Sequence, residues 1–322
     1  MKSQKRPFQK DILNHCYVRT ADGGLLFYTY SDYLEWFTTV CVATRKHHVQ
    51  VLAMCAMPDH VHLSVVAKTA AQLSGFMRDW SRNYARSFNE RCHRTGCLFD
   101  TPFGSVPKFS AKKARTNLIY VWNNPVERQL ANKAEDYRWT FMAYAVSDHP
   151  FSQKLVVRDS RWPMQKAIKE VREWSKTGKP MIYNQLKRLF GQLTPEESHQ
   201  LIDFIITSYN VIDYKAAIQY FNSYEDMLSA VHSTTGSEYD LNEVFIGKTD
   251  AYYSKMTSVI IREMKPGDIH DIIALPKDQK YEVFLLLRKH TFAMADQIAK
   301  YIHLKLTLGP INDAEIASNV SA

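Results

Sequence analysis

No stretch of the sequence approaches the roughly 18 uninterrupted apolar residues that a membrane helix requires. The basic start, Met1 to Lys10, has no apolar segment of the kind a secretory signal carries. A cytoplasmic protein without membrane contact is the expectation. The five cysteines, Cys16, Cys41, Cys55, Cys92 and Cys97, include no CxxC pair. An odd number of thiols so spaced fits a reducing compartment, and disulfides are not expected. His93 lies between Cys92 and Cys97 without a second ligand pair that would make a zinc site, and His47-His48 read as surface residues. Internal repeats and low-complexity tracts are also missing. At 322 residues the chain is long for one compact domain, so two are expected.

What is present is unevenly distributed. The net charge is +8, and residues 1–150 hold 20 Lys/Arg against 12 Asp/Glu, so the entire excess lies there and the remainder is neutral. Residues 71–115 alone contain nine basic and three acidic side chains. A local excess of this kind suits a polyanionic partner, because Lys and Arg placed on phosphates release condensed counterions.

Asp11 to Thr20 reads as a first strand. Asp22-Gly23-Gly24 is a turn, and a helix follows from Ser31 to about Thr44, with Ser31 or Asp32 as its cap. The apolar runs His48 to Met57 and His60 to Ala67 are separated by Pro58 and Asp59 alone, which predicts a hairpin of buried strands. From Ala71 to Cys92, Phe76, Trp80, Tyr84 and Phe88 recur every fourth residue, while Arg78, Arg82 and Arg86 recur on the opposite helix face. Cys97 to Lys108 contains a short strand. Ser110 caps a helix from Ala111 to about Asn123, which Pro125 terminates. The order β-α-β-β-α-β-α predicts an α+β fold, a ferredoxin-like antiparallel sheet with helices on one face.

Tyr137 to about Ser160 looks like an exit from this unit, with Asp148-His149-Pro150 as a linker. Residues 151–322 then read as a mostly α-helical accessory domain. Helix starts are expected at Thr194-Pro195-Glu196-Glu197, at Ser223 and near Asp250. Lys280 to Lys289 and Ala293 to Tyr301 resemble the first two helices of a helix-turn-helix, but Lys305 to Pro310 is a poor recognition helix. The neutral charge of this half favours packing against protein: docking on the first half, dimerisation, or a host factor.

The chemistry begins at His60-Val61-His62. Two imidazoles at i and i+2 of a strand point to one side and present two nitrogen ligands to one cation. Tyr120 and Asn124, four apart on a helix, project together, with Lys113 and Asn117 on the same stripe.

Met57-Pro58-Asp59-His60-Val61-His62-Leu63 closely resembles the HUH motif (histidine, bulky hydrophobe, histidine) of single-tyrosine transposases. Asn14-His15-Cys16-Tyr17-Val18-Arg19 is similar to that family's first strand, and Gly96-Cys97-Leu98-Phe99 to its Gly-x-Leu-Trp/Phe segment. Tyr120-Val121-Trp122-Asn123-Asn124-Pro125 resembles its Tyr-x-x-x-Asn-Pro element, and Asp136-Tyr137-Arg138-Trp139-Thr140 its closing motif. The order and spacing, over about residues 8–145, resemble the REP-associated tyrosine transposases of bacteria.

That resemblance implies a catalytic domain over residues 1–150 that cleaves and rejoins single-stranded or hairpin DNA. Tyr120 would be the nucleophile and His60, His62 and Asn124 the metal ligands, with a 5′-phosphotyrosine intermediate, a free 3′-hydroxyl and no nucleotide cofactor. Hard amide and phosphate oxygens favour Mg²⁺ or Mn²⁺ over zinc. Arg78, Arg82, Arg86, Lys108, Lys112, Lys113 and Arg115 are candidate phosphate contacts, with Arg91 and Arg94 in the same basic group. Asn14 and His15 either contact DNA or pack. Asp100, where Gln is frequent, and Glu127, where the family continues Arg-Ala-Gly, bear on sequence preference and leave the proposed catalytic groups in place. The competing readings are a domesticated hairpin-binding protein or repressor that does not cut, and an RNA-binding ferredoxin-like domain. The second lacks the aromatic RNP strand signature.

Overall fold

Alternating side chains build four strands: β1 (Leu13–Arg19), β2 (Gln50–Met57), β3 (His60–Val66) and β4 (Gly104–Pro107). In the computed structural model, which describes residues 7–100, 103–233 and 251–305, they form one antiparallel sheet in the order β2-β3-β1-β4. Helices α1 (Tyr30–His47) and α2 (Ala70–Arg91) make the crossovers, and α3 (Ala111–Glu127) follows β4. This is the ferredoxin-like arrangement the sequence predicts.

The helices, however, cover both faces of the sheet. Cys16, Val18, Val61, Leu63 and Val65 pack with Trp36 and Phe37 of α1 and with Phe76, Trp80, Tyr84 and Phe88 of α2. Leu13, Leu52, Cys55 and Met57 turn the other way, onto Ala114, Leu118, Val121 and Trp122 of α3. The one-face expectation fails because α3 has its own apolar stripe at helical spacing, and that stripe requires cover.

Two helix boundaries also differ from expectation. The cap of α1 is Thr29, not Ser31 or Asp32: the Asp32 carboxylate accepts the Thr29 N–H at 2.8 Å, closing a capping box. Pro125 lies inside α3 and does not end it. A proline removes only its own N–H, and the next carbonyls are still used, with Arg128 N–H donating to Asn124 O and Leu130 N–H to Pro125 O.

The rest of the described chain is helical. Its helices are α4 (Trp162–Lys176), α5 (Tyr183–Phe190), α6 (Pro195–Tyr209), α7 (Tyr214–Ile218), α8 (Tyr224–Ser233), α9 (Tyr252–Glu263), α10 (Asp271–Ala274), α11 (Lys277–His290) and α12 (Ala295–Tyr301). Thr194 caps α6 as expected, and Ser223 Oγ accepts the Asp226 N–H at the start of α8. The start expected near Asp250 falls at the border of the described residues, where α9 opens at Tyr252. The two helix-turn-helix-like segments are α11 and α12. The segment from Leu306, where a recognition helix would follow, lies outside the described residues.

These helices dock on the sheet unit, the first of the three roles considered for them. Met164, Ile205, Ile260, Leu287 and Tyr301 share one apolar cluster with α1 and α2, so the core is continuous across residue 150. At this seam the His270 ring is fully buried between two carboxylates. Its Nε2 lies 3.0 Å from Asp32 and its Nδ1 2.5 Å from Asp268. Arg91 reaches Asp32 at 3.0 Å and Glu35 at 2.8 Å from the same side.

Burial pushes the His270 imidazole down, but Asp32 and Asp268 outweigh it, and its pKa is raised above 6.5. A histidine raised in the folded state contributes stability that is complete below the unfolded value and is lost as pH rises through the folded one. Thermal scans are therefore expected to show the midpoint falling as pH rises above about 6.5, by roughly 2–4 °C per kcal/mol lost. His270→Gln should flatten that slope, and an unchanged slope would remove His270 as its source. Asp32 is held below 3.8 despite burial, by His270 and Arg91, so its own contribution is lost only on acidification.

Candidate active site

Strand alternation on β3 puts Val61, Leu63 and Val65 toward α1 and α2, and so turns His60, His62 and Ser64 toward α3. On α3, Tyr120 and Asn124 meet them. The His62 and Tyr120 rings stand edge to face with centroids 5.3 Å apart, and those of His60 and His62 at 4.8 Å. Asn124 Nδ2 lies 3.4 Å from His62 Nε2. Ser64 Oγ donates to Asn117 Oδ1 at 3.0 Å, tying the helix to the strand one turn further on. All four predicted catalytic side chains are buried here.

Both histidines are oriented by a second contact. His62 Nδ1 lies 3.0 Å from Nε2 of His15, which faces the same side of β1. Burial first, and then the neighbouring Lys108, bring His15 down to about 3. His62 is also lowered well below its usual value, by burial and then by His60, His15 and Arg19. Both imidazoles are therefore neutral at pH 7, the state in which a ring nitrogen keeps a lone pair for a metal. With His62 Nδ1 occupied by His15, Nε2 is the nitrogen left facing Asn124.

His60 Nδ1 lies 2.6 Å from Asp59 Oδ1, and the second Asp59 oxygen pairs with Lys300 of α12. Burial alone would raise the Asp59 pKa, but His60 and Lys300 hold it well below the usual carboxylate range. His60 Nε2 is buried without a hydrogen-bond partner among the described residues, which leaves its lone pair open to a water or a metal ion. Carboxylate–histidine pairing of this form orients a metal ligand. No group of three or more His, Cys, Asp or Glu side chains among the described residues is arranged to hold a metal ion by itself. The available donors are two imidazoles and an amide, which suits a cation that also takes phosphate oxygen.

The remaining predicted residues separate. Arg78, Arg82 and Arg86 are exposed on the outer face of α2, on the opposite side of the sheet from His62 and Tyr120. They do not surround the site, because neighbours in sequence across β4 end on opposite faces. Asn14 faces away from His15, and its amide latches the start of β1, accepting from Gln9 N–H and donating to the Gln9 and Ile12 carbonyls. His15, in contrast, packs into the site. Lys108 is buried beside it, Lys112 and Lys113 are exposed on the first turn of α3, and Arg115 lies over the Phe221 ring, 3.8 Å from Asp226.

Sequence reasoning missed Asp59 as an orienting group, although it directly precedes His60 in the Met-Pro-Asp turn. It also missed Arg19, which is exposed, pairs in register with His60 and acts electrostatically on His62. Lys300 had no local signal at all.

Residues 28–104 match the family model described as IS200-like transposase. This segment includes His60, His62 and Asp59 and ends before Tyr120. Over it the chain is similar to that family. No curated protein matches the chain. A solved structure described as the REP-associated tyrosine transposase bound to a REP hairpin is similar at 16% identity, covering 45% of this chain and 86% of that one, with a TM-score of 0.39. No helix among the described residues is long and apolar enough to cross a membrane.

Proposed function

We propose that this chain is a metal-dependent single-strand DNA endonuclease and strand transferase that acts at hairpin-forming sites through Tyr120. The observation that carries this reading is the convergence of His60, His62, Tyr120 and Asn124 around a buried imidazole nitrogen that has no hydrogen-bond partner among the described residues. The His60 and His62 Nε2 atoms, with the Asn124 amide turned to present its oxygen, would hold Mg²⁺ or Mn²⁺. Bound there, the cation would polarise the scissile phosphate.

The protein groups supply the rest. A phenol of ordinary pKa near 10 is about one part in a thousand ionised at pH 7, so Tyr120 must be positioned as well as activated. The ring edges of His15 and His62 fix the Tyr120 plane. Tyr120 Oη forms the bond to phosphorus, the P–O3′ bond breaks, and the proton lost by the phenol is balanced by the one the 3′-oxygen acquires. The phosphotyrosine bond retains the energy for rejoining, so the reverse attack needs no nucleotide cofactor. In this reading residues 1–150 perform the chemistry, and residues 151–322 are a helical accessory domain that braces it through Lys300.

The test is a denaturant-resistant protein–DNA adduct formed on single-stranded hairpin DNA carrying a bacterial repeat sequence. Manganese should support the adduct and excess chelator should abolish it. Hairpin binding with no adduct under any metal would replace this reading with that of a non-cleaving hairpin-binding protein. An adduct undiminished by chelator would remove the metal role alone.

A further inference from the structure

Beside the site, where the Pro58–Asp59 turn meets α9 and α12, lies a cavity of about 400 Å³, within the usual range of ligand sites, roughly 300–1,000 Å³. Its walls are mostly aromatic and come from both halves of the chain. From the first half, Tyr33 is stacked between Phe27 at 4.4 Å and Trp139 at 4.3 Å, with interplanar angles of 19° and 5°. Tyr30, 48% exposed, leans on Trp139 at the mouth. From the second half, Tyr253 and Tyr301 are stacked at an interplanar angle of 13°.

The hydroxyls of these rings are used to fix them. Tyr137 Oη donates to Ala56 O at 3.0 Å, Tyr28 Oη donates to Tyr301 O, and Tyr301 Oη lies 2.8 Å from Thr257 Oγ1. What remains is a slot lined mainly by aromatic rings and more apolar than polar. Pro58 forms part of its lining and stands two residues before His60, and Asp59 between them is hydrogen-bonded to His60 and paired with Lys300, the neighbour in sequence of the lining Tyr301.

We propose that this slot takes one unpaired nucleobase of the DNA strand that passes through the active site, holding it by stacking and not by hydrogen-bond readout. The proposal rests on the DNA reading above and adds to it a base site that the second half helps to build. Stacking accepts any base, because every base has a π-face. The slot therefore requires that a base be present, whatever its identity, at one fixed distance from the cleavage point.

The experiment scans hairpin DNA with abasic sites and with 2-aminopurine on both flanks of the cleavage position, using the full chain. One flanking position should show quenched 2-aminopurine fluorescence in the complex. At that position an abasic site should weaken binding about ten-fold, within the range one stacked base supplies, while exchange among the four bases should change it little. Ser254→Trp, placed on the exposed face of α9 to fill the slot, and Tyr30→Ala, at its mouth, should each remove the quenching and the abasic penalty while leaving the fold intact by circular dichroism. Adduct formation with no position-specific quenching or abasic penalty would overturn the base slot and leave the proposed function standing. A strong preference for one base there would overturn the stacking mode. Failure to bind hairpin DNA at all would overturn both readings together.

Discussion

Tyr120→Phe should keep the fold and hairpin binding and lose the covalent adduct, by roughly 10⁴–10⁶-fold, the scale expected when a nucleophile is removed. The ring packs edge-on against His15 and His62 and is only 3% exposed. Phenylalanine keeps these contacts and deletes one oxygen, so the cost to stability is about 1 kcal/mol. The comparison that isolates chemistry is binding against adduct. Wild-type binding with no adduct places the loss at the attacking atom. A mutant that still forms adduct requires another nucleophile, and Tyr17, whose ring centroid is 6.5 Å from that of His62, is the first to examine. His60→Ala and His62→Ala differ from this in one respect: each should lower adduct formation in a way that added manganese partly restores, because each leaves Tyr120 in place.

How far this site could be read from the sequence depended on how local each relationship is. His60 and His62 are two apart on a strand, and Tyr120 and Asn124 four apart on a helix, so period alone puts each pair on one face. That the two faces meet is a matter of topology. The sequence order β-α-β-β-α-β-α predicts the sheet, but not that α3 crosses to the side opposite α1 and α2. For that reason the arginines of α2, close to the site in sequence, end on the far side of it. His15 was open between two roles because strand period does not say which neighbour lies across; the register of Tyr17 with His62 brings it within reach. The boundary at Pro125 was misplaced because a proline late in a helix removes a single hydrogen bond, and the apolar face of α3 outweighs that loss.

The contact with no counterpart in the local sequence carries the other large prediction. Asp59 is held by His60 on one side and by Lys300 on the other, across a separation of 241 residues. Asp59→Ala should raise the manganese concentration needed for half-maximal adduct by about 10–100-fold, the usual cost of losing an orienting carboxylate behind a metal-binding histidine. The same shift should appear when Mn²⁺ binding is measured directly by electron paramagnetic resonance without DNA, which separates affinity from turnover. Lys300→Met keeps the carboxylate but frees its second oxygen, so a smaller shift in the same direction is expected. Asp59→Asn should fall between the two, because an amide oxygen can still face His60 Nδ1 without the charge. If Lys300→Met matches wild type while Asp59→Ala does not, α12 only docks against the turn. If both shift, the helical half belongs to the catalytic unit: its neutral overall charge hides one lysine placed on the residue that orients His60, and removing that half should weaken metal binding even though every proposed ligand lies before residue 125.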